Sequence, residues 1–254
     1  MIPLYTYGLA HTRECSPPGT TGLFGGEVFV LERDDLAALV SALPMPEISR
    51  TRRNLLAHTG VLEAAHRRYT VLPFRFGTVA PDAATLTACI AANRSRFHDA
   101  LRGINGRIEL GVRAAWKGGH MYASLAEHDA RVRALNARVK GRSELETYYD
   151  RIELGRQVET GLAALREAET HRLTAELATI AERVTVLPIH EDADIFNHAY
   201  LLSRAREADF DAAVERLAER AGARMDIRYV GPMPPFNFVT LQAGWLDAKA
   251  GRAA

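Results

Sequence analysis

Reactive side chains are densest at His190-Glu191-Asp192-Ala193-Asp194-Ile195-Phe196-Asn197-His198, where two imidazoles and three carboxylates fall within nine residues. Imidazole and carboxylate groups bind hard and borderline cations, so such a run could hold a metal. Its spacing matches neither HExxH nor an EF-hand loop, and charged residues after a strand usually make a solvated turn, which is the reading adopted. Cys15 lies four residues after His11, beside Pro17-Pro18-Gly19, and a thiol-imidazole pair is conceivable. Nucleophilic cysteine chemistry also needs an orienting partner and an oxyanion site, and no motif supplies either. Cys89, beside Ile90 in a helical pattern, behaves as a small core residue. His58 and His66 share a predicted helix but are eight residues apart, too far to share a metal, and read as part of a half-exposed surface.

Other chemistries lack their motifs. No strand is followed by GxxxxGK[ST], or by GxGxxG opening a helix, so nucleotide binding has no support and Gly25-Gly26 and Gly118-Gly119 read as turns. Arg50, Arg52, Arg53, Arg67 and Arg68 lack interleaved aromatics. Across 254 residues, 32 Lys plus Arg balance 31 Asp plus Glu, which argues against a nucleic-acid or anionic-membrane binder. The apolar share of 47% predicts a folded chain of one large or two modest domains. Two cysteines make no disulfide framework. The opening Met1-Ile2-Pro3-Leu4-Tyr5-Thr6-Tyr7 lacks the regions of a signal peptide, and the apolar stretch from Leu36 to Met45 is too short to cross a bilayer, so a soluble cytoplasmic protein is expected.

Two segments combine stiff prolines with aromatics: Leu72-Pro73-Phe74-Arg75-Phe76-Gly77 and Gly231-Pro232-Met233-Pro234-Pro235-Phe236-Asn237-Phe238. Proline lowers the entropy lost on ordering and aromatics supply contact area, so they suit either a rigid domain joint or a partner-binding surface. The candidate site residues are therefore Leu72, Pro73, Phe74, Arg75, Phe76, Pro232, Pro234, Pro235, Phe236, Asn237 and Phe238. No residue is assigned a catalytic, metal-ligating or cofactor-binding role.

Hydrophobic period predicts the elements that must position them. Strand-like runs cover 2–10 and 27–31; the run 36–43 fits strand or helix and is read as strand. Ser49 is the expected N-cap of a helix reaching about Tyr69. Leu72, Phe74 and Phe76 then alternate onto one side of a strand, which Pro73 confines to an edge or a bulge. Asp82 caps a helix striped by Leu86, Ile90, Phe97 and Leu101. After the Asn105-Gly106 turn, Ile108, Leu110, Val112, Ala114 and Trp116 face one way, and Glu109, Arg113 and Lys117 face the wet side. Gly118-Gly119 marks the expected domain boundary. Beyond it, Met121, Leu125, His128, Val132, Leu135 and Val139 form a heptad seam. Ser143 and Glu146 form a capping box opening a second long helix to about Arg183, the two making an antiparallel hairpin. Strand-like runs at 184–189, 199–203 and 225–230 and a short helix ending at Gly222 complete the chain. Thr-Val-Leu-Pro recurs at 70–73 and 185–188, a hint of two similar α+β units.

Tyr5-Thr6-Tyr7-Gly8, Val71-Leu72-Pro73-Phe74-Arg75-Phe76-Gly77-Thr78-Val79, Glu109-Leu110-Gly111-Val112-Arg113 and the closing Gly231 to Val239 occur in an order that resembles the GvpL/GvpF family of gas vesicle proteins. Met233 departs from an aromatic common between the tail prolines of relatives. The resemblance implies an α+β fold, with a ferredoxin-like domain over 1–117 and, over 118–254, an α+β domain carrying the long helical hairpin. It also implies an accessory protein of gas vesicle assembly with no enzymatic activity and no cofactor, cytoplasmic and associated with the vesicles. Its partners would be the hydrophobic shell protein GvpA and other gas vesicle accessory proteins, with no nucleic acid or membrane partner. The surfaces expected to meet the shell protein are a sheet face or edge of the first domain and the hairpin, while weak self-association through the 121–139 seam stays open. Two alternatives remain: a ferredoxin-like regulatory module binding a small ligand, and a hydrolase or thiol enzyme built on Cys15, His190 or His198.

Overall fold

A computed structural model describes residues 2–44 and 48–239. Two units divide the chain, one of Met1–Glu109 with Pro232–Ala254, the other of Leu110–Gly231. The expected division after Lys117 is thus displaced into a strand, and the proline-rich closing segment groups with the first unit.

In the first unit β1 (Leu4–His11), β2 (Phe29–Arg33) and β3 (Leu36–Ala42) precede α1 (Arg52–His66). Two short strands, β4 (Leu72–Pro73) and β5 (Val79–Ala80), then lead to α2 (Ala83–Ala92) and α3 (Arg94–Ile104). The sheet order is β2-β3-β1-β4, β5 also pairing with β1, and these pairs are antiparallel. Asp34 turns β2 into β3 at φ 56°, a conformation that Asp tolerates better than most residues. β3 lies between β2 and β1 and its Leu36 to Val40 are fully buried. A strand covered on both faces has no polar alternation, which is why 36–43 is ambiguous in sequence. One face meets α2 and α3 through Leu86, Ile90, Phe97 and Leu101; the other meets α1 through Val61, Leu62 and Ala65. A bulge in β1 between Thr6 and Gly8 shifts the alternation, so that Tyr5, Tyr7 and Ala10 all serve the α1 side. Gly8 is required because a Cβ there would lie 2.8 Å from the Leu72 carbonyl oxygen on β4. Pro73 sits in the edge strand, as its missing N–H demands. Thr51, rather than Ser49, caps α1 by accepting from the Asn54 N–H at 3.2 Å, and Asp82 caps α2 as expected.

The second unit contains most of β6 (Arg107–Trp116), then α4 (His120–His128), α5 (Ala130–Val139) and α6 (Tyr148–Ile180). β7 (Arg183–Val186), β8 (Asp194–Ser203), α7 (Glu207–Ala221) and most of β9 (Met225–Met233) complete it, in the sheet order β7-β8-β6-β9. Strand-helix-strand-strand-helix-strand, with β6 between β8 and β9, is the split βαβ plan of ferredoxin-like folds. The ferredoxin-like order expected of the first domain is therefore found in the second unit, whereas the first opens on three strands.

The heptad seam is broken at Asp129, whose carboxylate caps α5 by accepting from the N–H groups of Arg131 and Val132 at 2.8 and 3.1 Å. Met121, Leu125, Val132, Leu135 and Val139 are buried, but His128 is exposed. α6 meets this arm in reverse chain order, Arg138 to Asp150 at 2.6 Å, Arg131 to Glu153 at 3.2 Å and Gln157 to Asp129 at 3.0 Å. Its 33 residues give a rod of roughly 50 Å at 1.5 Å per residue, starting at Tyr148 after the Ser143–Glu146 capping box. No helix among the described residues is long and apolar enough to cross a membrane.

Candidate partner-binding cleft

β4 ends at Pro73, so the predicted strand through Phe76 is instead a turn. The Phe74 N–H donates to the Tyr7 carbonyl at 2.8 Å, and the Thr78 hydroxyl and N–H close the turn on the Arg75 carbonyl at 2.7 and 3.2 Å. Gly77, at φ 88°, makes the reversal with a conformation that disfavours side chains. The alternation is lost with it: Phe74 enters the α2–α3 core at 2% exposure, Arg75 is exposed, and Phe76 lies half-buried against Tyr5 and His58.

The closing segment reaches the same place by a different device. Glu109, expected on the wet face of its strand, is 1% exposed, and its carboxylate accepts from the Asn237 N–H at 2.8 Å and the Asn237 side-chain amide at 2.5 Å. Burial pushes the Glu109 carboxyl up, and those two donors offset part of the rise. Glu109 is the positioning residue that sequence reasoning missed. The available signal is a lone acid on a strand whose other charged residues, Arg107 and Arg113, are basic.

Together the two segments and the start of α1 enclose an open cleft of about 820 Å³. Of the candidate residues, Pro73, Phe74, Arg75, Phe76, Phe236 and Asn237 line it, with Leu55 and Val239. Leu72 lies fully in the core, Pro234, Pro235 and Phe238 are buried behind the wall, and Pro232 is exposed outside the lining. Arg50 and Arg75, both exposed, supply the cationic groups, and no carboxylate occurs among the described lining residues.

His58 forms part of the floor. Far from half-exposed, His58 and His66 are 3% and 8% exposed, because α1 packs this face on the sheet. The Tyr5 hydroxyl accepts from the Gly77 N–H at 3.2 Å and lies 2.8 Å from His58 Nδ1, so it donates there. His58 is also hydrogen-bonded to the Phe74 carbonyl, which assigns its proton to Nε2. Burial pushes the imidazole down to about 4, outweighing that carbonyl. A folded value below the unfolded 6.5 makes the protonated unfolded state the favoured one in acid, so stability contributed above 6.5 is lost as pH falls from about 6.5 towards 4. We expect wild type to lose about 3 kcal/mol more than His58→Asn over that window in denaturant titrations. Equal pH slopes for the two would contradict the buried neutral imidazole.

The remaining candidates fall elsewhere. Cys15 Sγ is 4.0 Å from the Tyr69 hydroxyl, and burial pushes its thiol up to about 11, so the thiolate is scarce at neutral pH. Asp194, fully buried, organises the 190–198 run: it accepts from the N–H groups of His190 and Glu191 at 2.9 and 3.1 Å and from Arg113 Nε at 2.8 Å. Burial opposes its ionisation, but these donors outweigh it and hold the carboxyl below the usual range. His198 is buried on β8 beside Tyr200. Among the described residues no group of three or more His, Cys, Asp or Glu could hold a metal ion.

A cleft walled by aromatics and Pro73, with arginines at its edge, is the kind of site that grips another molecule, carried here on a chain of mixed helix and sheet. The chain belongs to the gas vesicle synthesis protein GvpL/GvpF family, whose model matches residues 3–240. Gas vesicle protein F of a Streptomyces species is 32% identical over 245 residues, covering 92% of this chain and 98% of that one. Gas vesicle protein F of Dolichospermum flosaquae is 26% identical over 245 residues, covering 95% and 99%. The crystal structure of GvpF from Anabaena sp. PCC7120 shares the fold, with a TM-score of 0.82 at 24% identity over 95% of this chain and all of that one. GvpF from Microcystis aeruginosa superposes with a TM-score of 0.78 at the same identity and coverage. The role of the protein therefore lies with gas vesicles.

Proposed function

We propose that the protein is an accessory factor of vesicle assembly that binds the hydrophobic shell protein GvpA in the cleft and helps to nucleate or extend the wall, alongside other gas vesicle accessory proteins. The observation that carries this reading is the convergence of the two proline-aromatic segments on one cleft. Their backbones are held by Tyr7 and Glu109, so the aromatic wall is formed before a partner arrives and little ordering entropy remains to be lost. Aromatic side chains in such a wall are the usual anchors of binding energy. A polypeptide suits the lining better than a small ligand does, because the polar groups of its floor are engaged internally, His58 with Tyr5 and Phe74, and Asn237 with Glu109.

The test is complementation of a deletion strain with Arg50→Glu/Arg75→Glu. Both positions are exposed, so the variant should melt like wild type, while reversal of two rim charges weakens capture of a partner roughly tenfold and cuts vesicle yield. Wild-type yield from the variant would exclude the cleft, and buoyant cells after deletion of the gene would exclude the assembly role.

A further inference from the structure

The turn before α6 and the first residues of that helix present an apolar surface that nothing above employs. Leu145 and Tyr149, at 93% and 83% exposure, are the most exposed large apolar side chains among the described residues, and their neighbours Tyr148 and Ile152 are exposed at 59% and 40%. Tyr148, Tyr149 and Ile152 lie in the first two turns of α6 and Leu145 in the turn that precedes it, so one short stretch of chain offers four exposed apolar side chains of the kind that seat in an apolar groove. Glu144 and Glu146 flank the leading anchor, with Arg142 and Arg151 the exposed cations of the same stretch, and hydrogen bonds from Ser143, helped by the charge of Arg142, hold the Glu146 carboxyl below its usual range, hence charged. The cleft has the opposite character at each point: apolar walls from Leu55, Phe76, Phe236 and Val239, and a rim of Arg50 and Arg75.

We propose that copies of this protein associate head to tail, the Leu145–Ile152 segment that opens α6 in one seated in the Phe76–Phe236 cleft of the next. The proposal rests on the cleft being a docking surface, as argued above. A second copy is the occupant because each chain carries both complementary halves, an apolar segment led by two acids and a base-rimmed apolar groove. Such a contact joins different patches, so every added molecule leaves one tip and one cleft open, and the series extends unless its rotation closes a ring. The shell protein would compete for the same groove, so free subunits would break the chains into loaded monomers.

Sedimentation of the full chain across a concentration series tests this. Wild type should gain mass with concentration, and salt should weaken the association. Leu145→Asp/Tyr149→Asp, altered only at exposed positions, and Arg50→Glu/Arg75→Glu should each remain monomeric with wild-type melting. An equimolar mixture of the two variants should give dimers and nothing larger, because only the intact tip of one can enter the intact cleft of the other. Wild type that stays monomeric at its highest soluble concentration, self-association of the rim variant alone, or a mixture that stays monomeric would each overturn the proposal. The tip variant also separates the two readings: retained binding of the shell protein with lost self-association supports both, whereas self-association through a cleft that ignores the shell protein sinks only the earlier one.

Discussion

Arg113→Ala should destabilise the second unit by roughly 3–5 kcal/mol, the cost of stripping the partner from a buried charge. Asp194 has no exposed side-chain surface, and the guanidinium reaches it at 2.6 and 2.8 Å while also touching Glu191 at 3.2 Å. Without Arg113 the carboxylate keeps only the N–H groups of His190 and Glu191, too few to replace its lost hydration. The depressed native value means that this stability is present above the unfolded carboxylate range and is lost as pH falls through the native one. The variant's deficit should therefore shrink in acid, where its Asp194 takes up a proton. Arg113→Met/Asp194→Asn, which removes both charges, should recover most of the loss. Denaturant unfolding of the three proteins decides it: a deficit under about 1 kcal/mol for Arg113→Ala would mean that the pair is not an effectively buried one.

Phe74→Asp should unfold the first unit. Phe74 packs edge-on to Phe97 at 6.3 Å among Leu72, Ile90 and Leu101, and truncating such a side chain alone costs roughly 3–5 kcal/mol. An unpaired carboxylate in the same place adds a further penalty, and the sum rivals the whole stability of an ordinary domain, roughly 5–15 kcal/mol. Its exposed neighbour should behave oppositely, Arg75→Glu staying within about 0.5 kcal/mol of wild type. Adjacent positions thus separate folding from binding. Vesicle loss in Phe74→Asp, or in Phe238→Asp with its side chain 7% exposed, reports a collapsed unit, whereas loss in Arg75→Glu reports a lost partner. A Phe74→Asp protein with wild-type melting would remove Phe74 from the core.

Local signals carried far, and failed where distant chain segments decide. The apolar phase of β6, the Asp82 cap and the edge position of Pro73 could be read directly, because each is fixed by neighbours a few residues away. Glu109 was misplaced because alternation shows that a strand has two faces, not that Asn237 will cover the second. His58 reads as half-exposed in sequence because its polarity is satisfied by Tyr5, a partner on β1 that helical period does not reveal. The break at Asp129 shows a cap outcompeting a heptad, since one carboxylate satisfies two N–H groups that a continuous helix would have turned to its own carbonyls. The ferredoxin-like order cannot be placed in one half from the sequence because both halves mix strands and helices, and pairing order, which distinguishes them, leaves no trace in composition. The two proline-aromatic segments were visible as types; their meeting in one cleft is a property of the fold.

A photo-reactive benzophenone residue at position 76, in cells building vesicles, probes the cleft where Phe76 stands. Attachment of the shell protein at that position, and its disappearance on Arg50→Glu/Arg75→Glu, is the result expected. Labelling of the shell protein from a control position such as Arg216 on α7 but not from 76 would show that capture occurs on another surface.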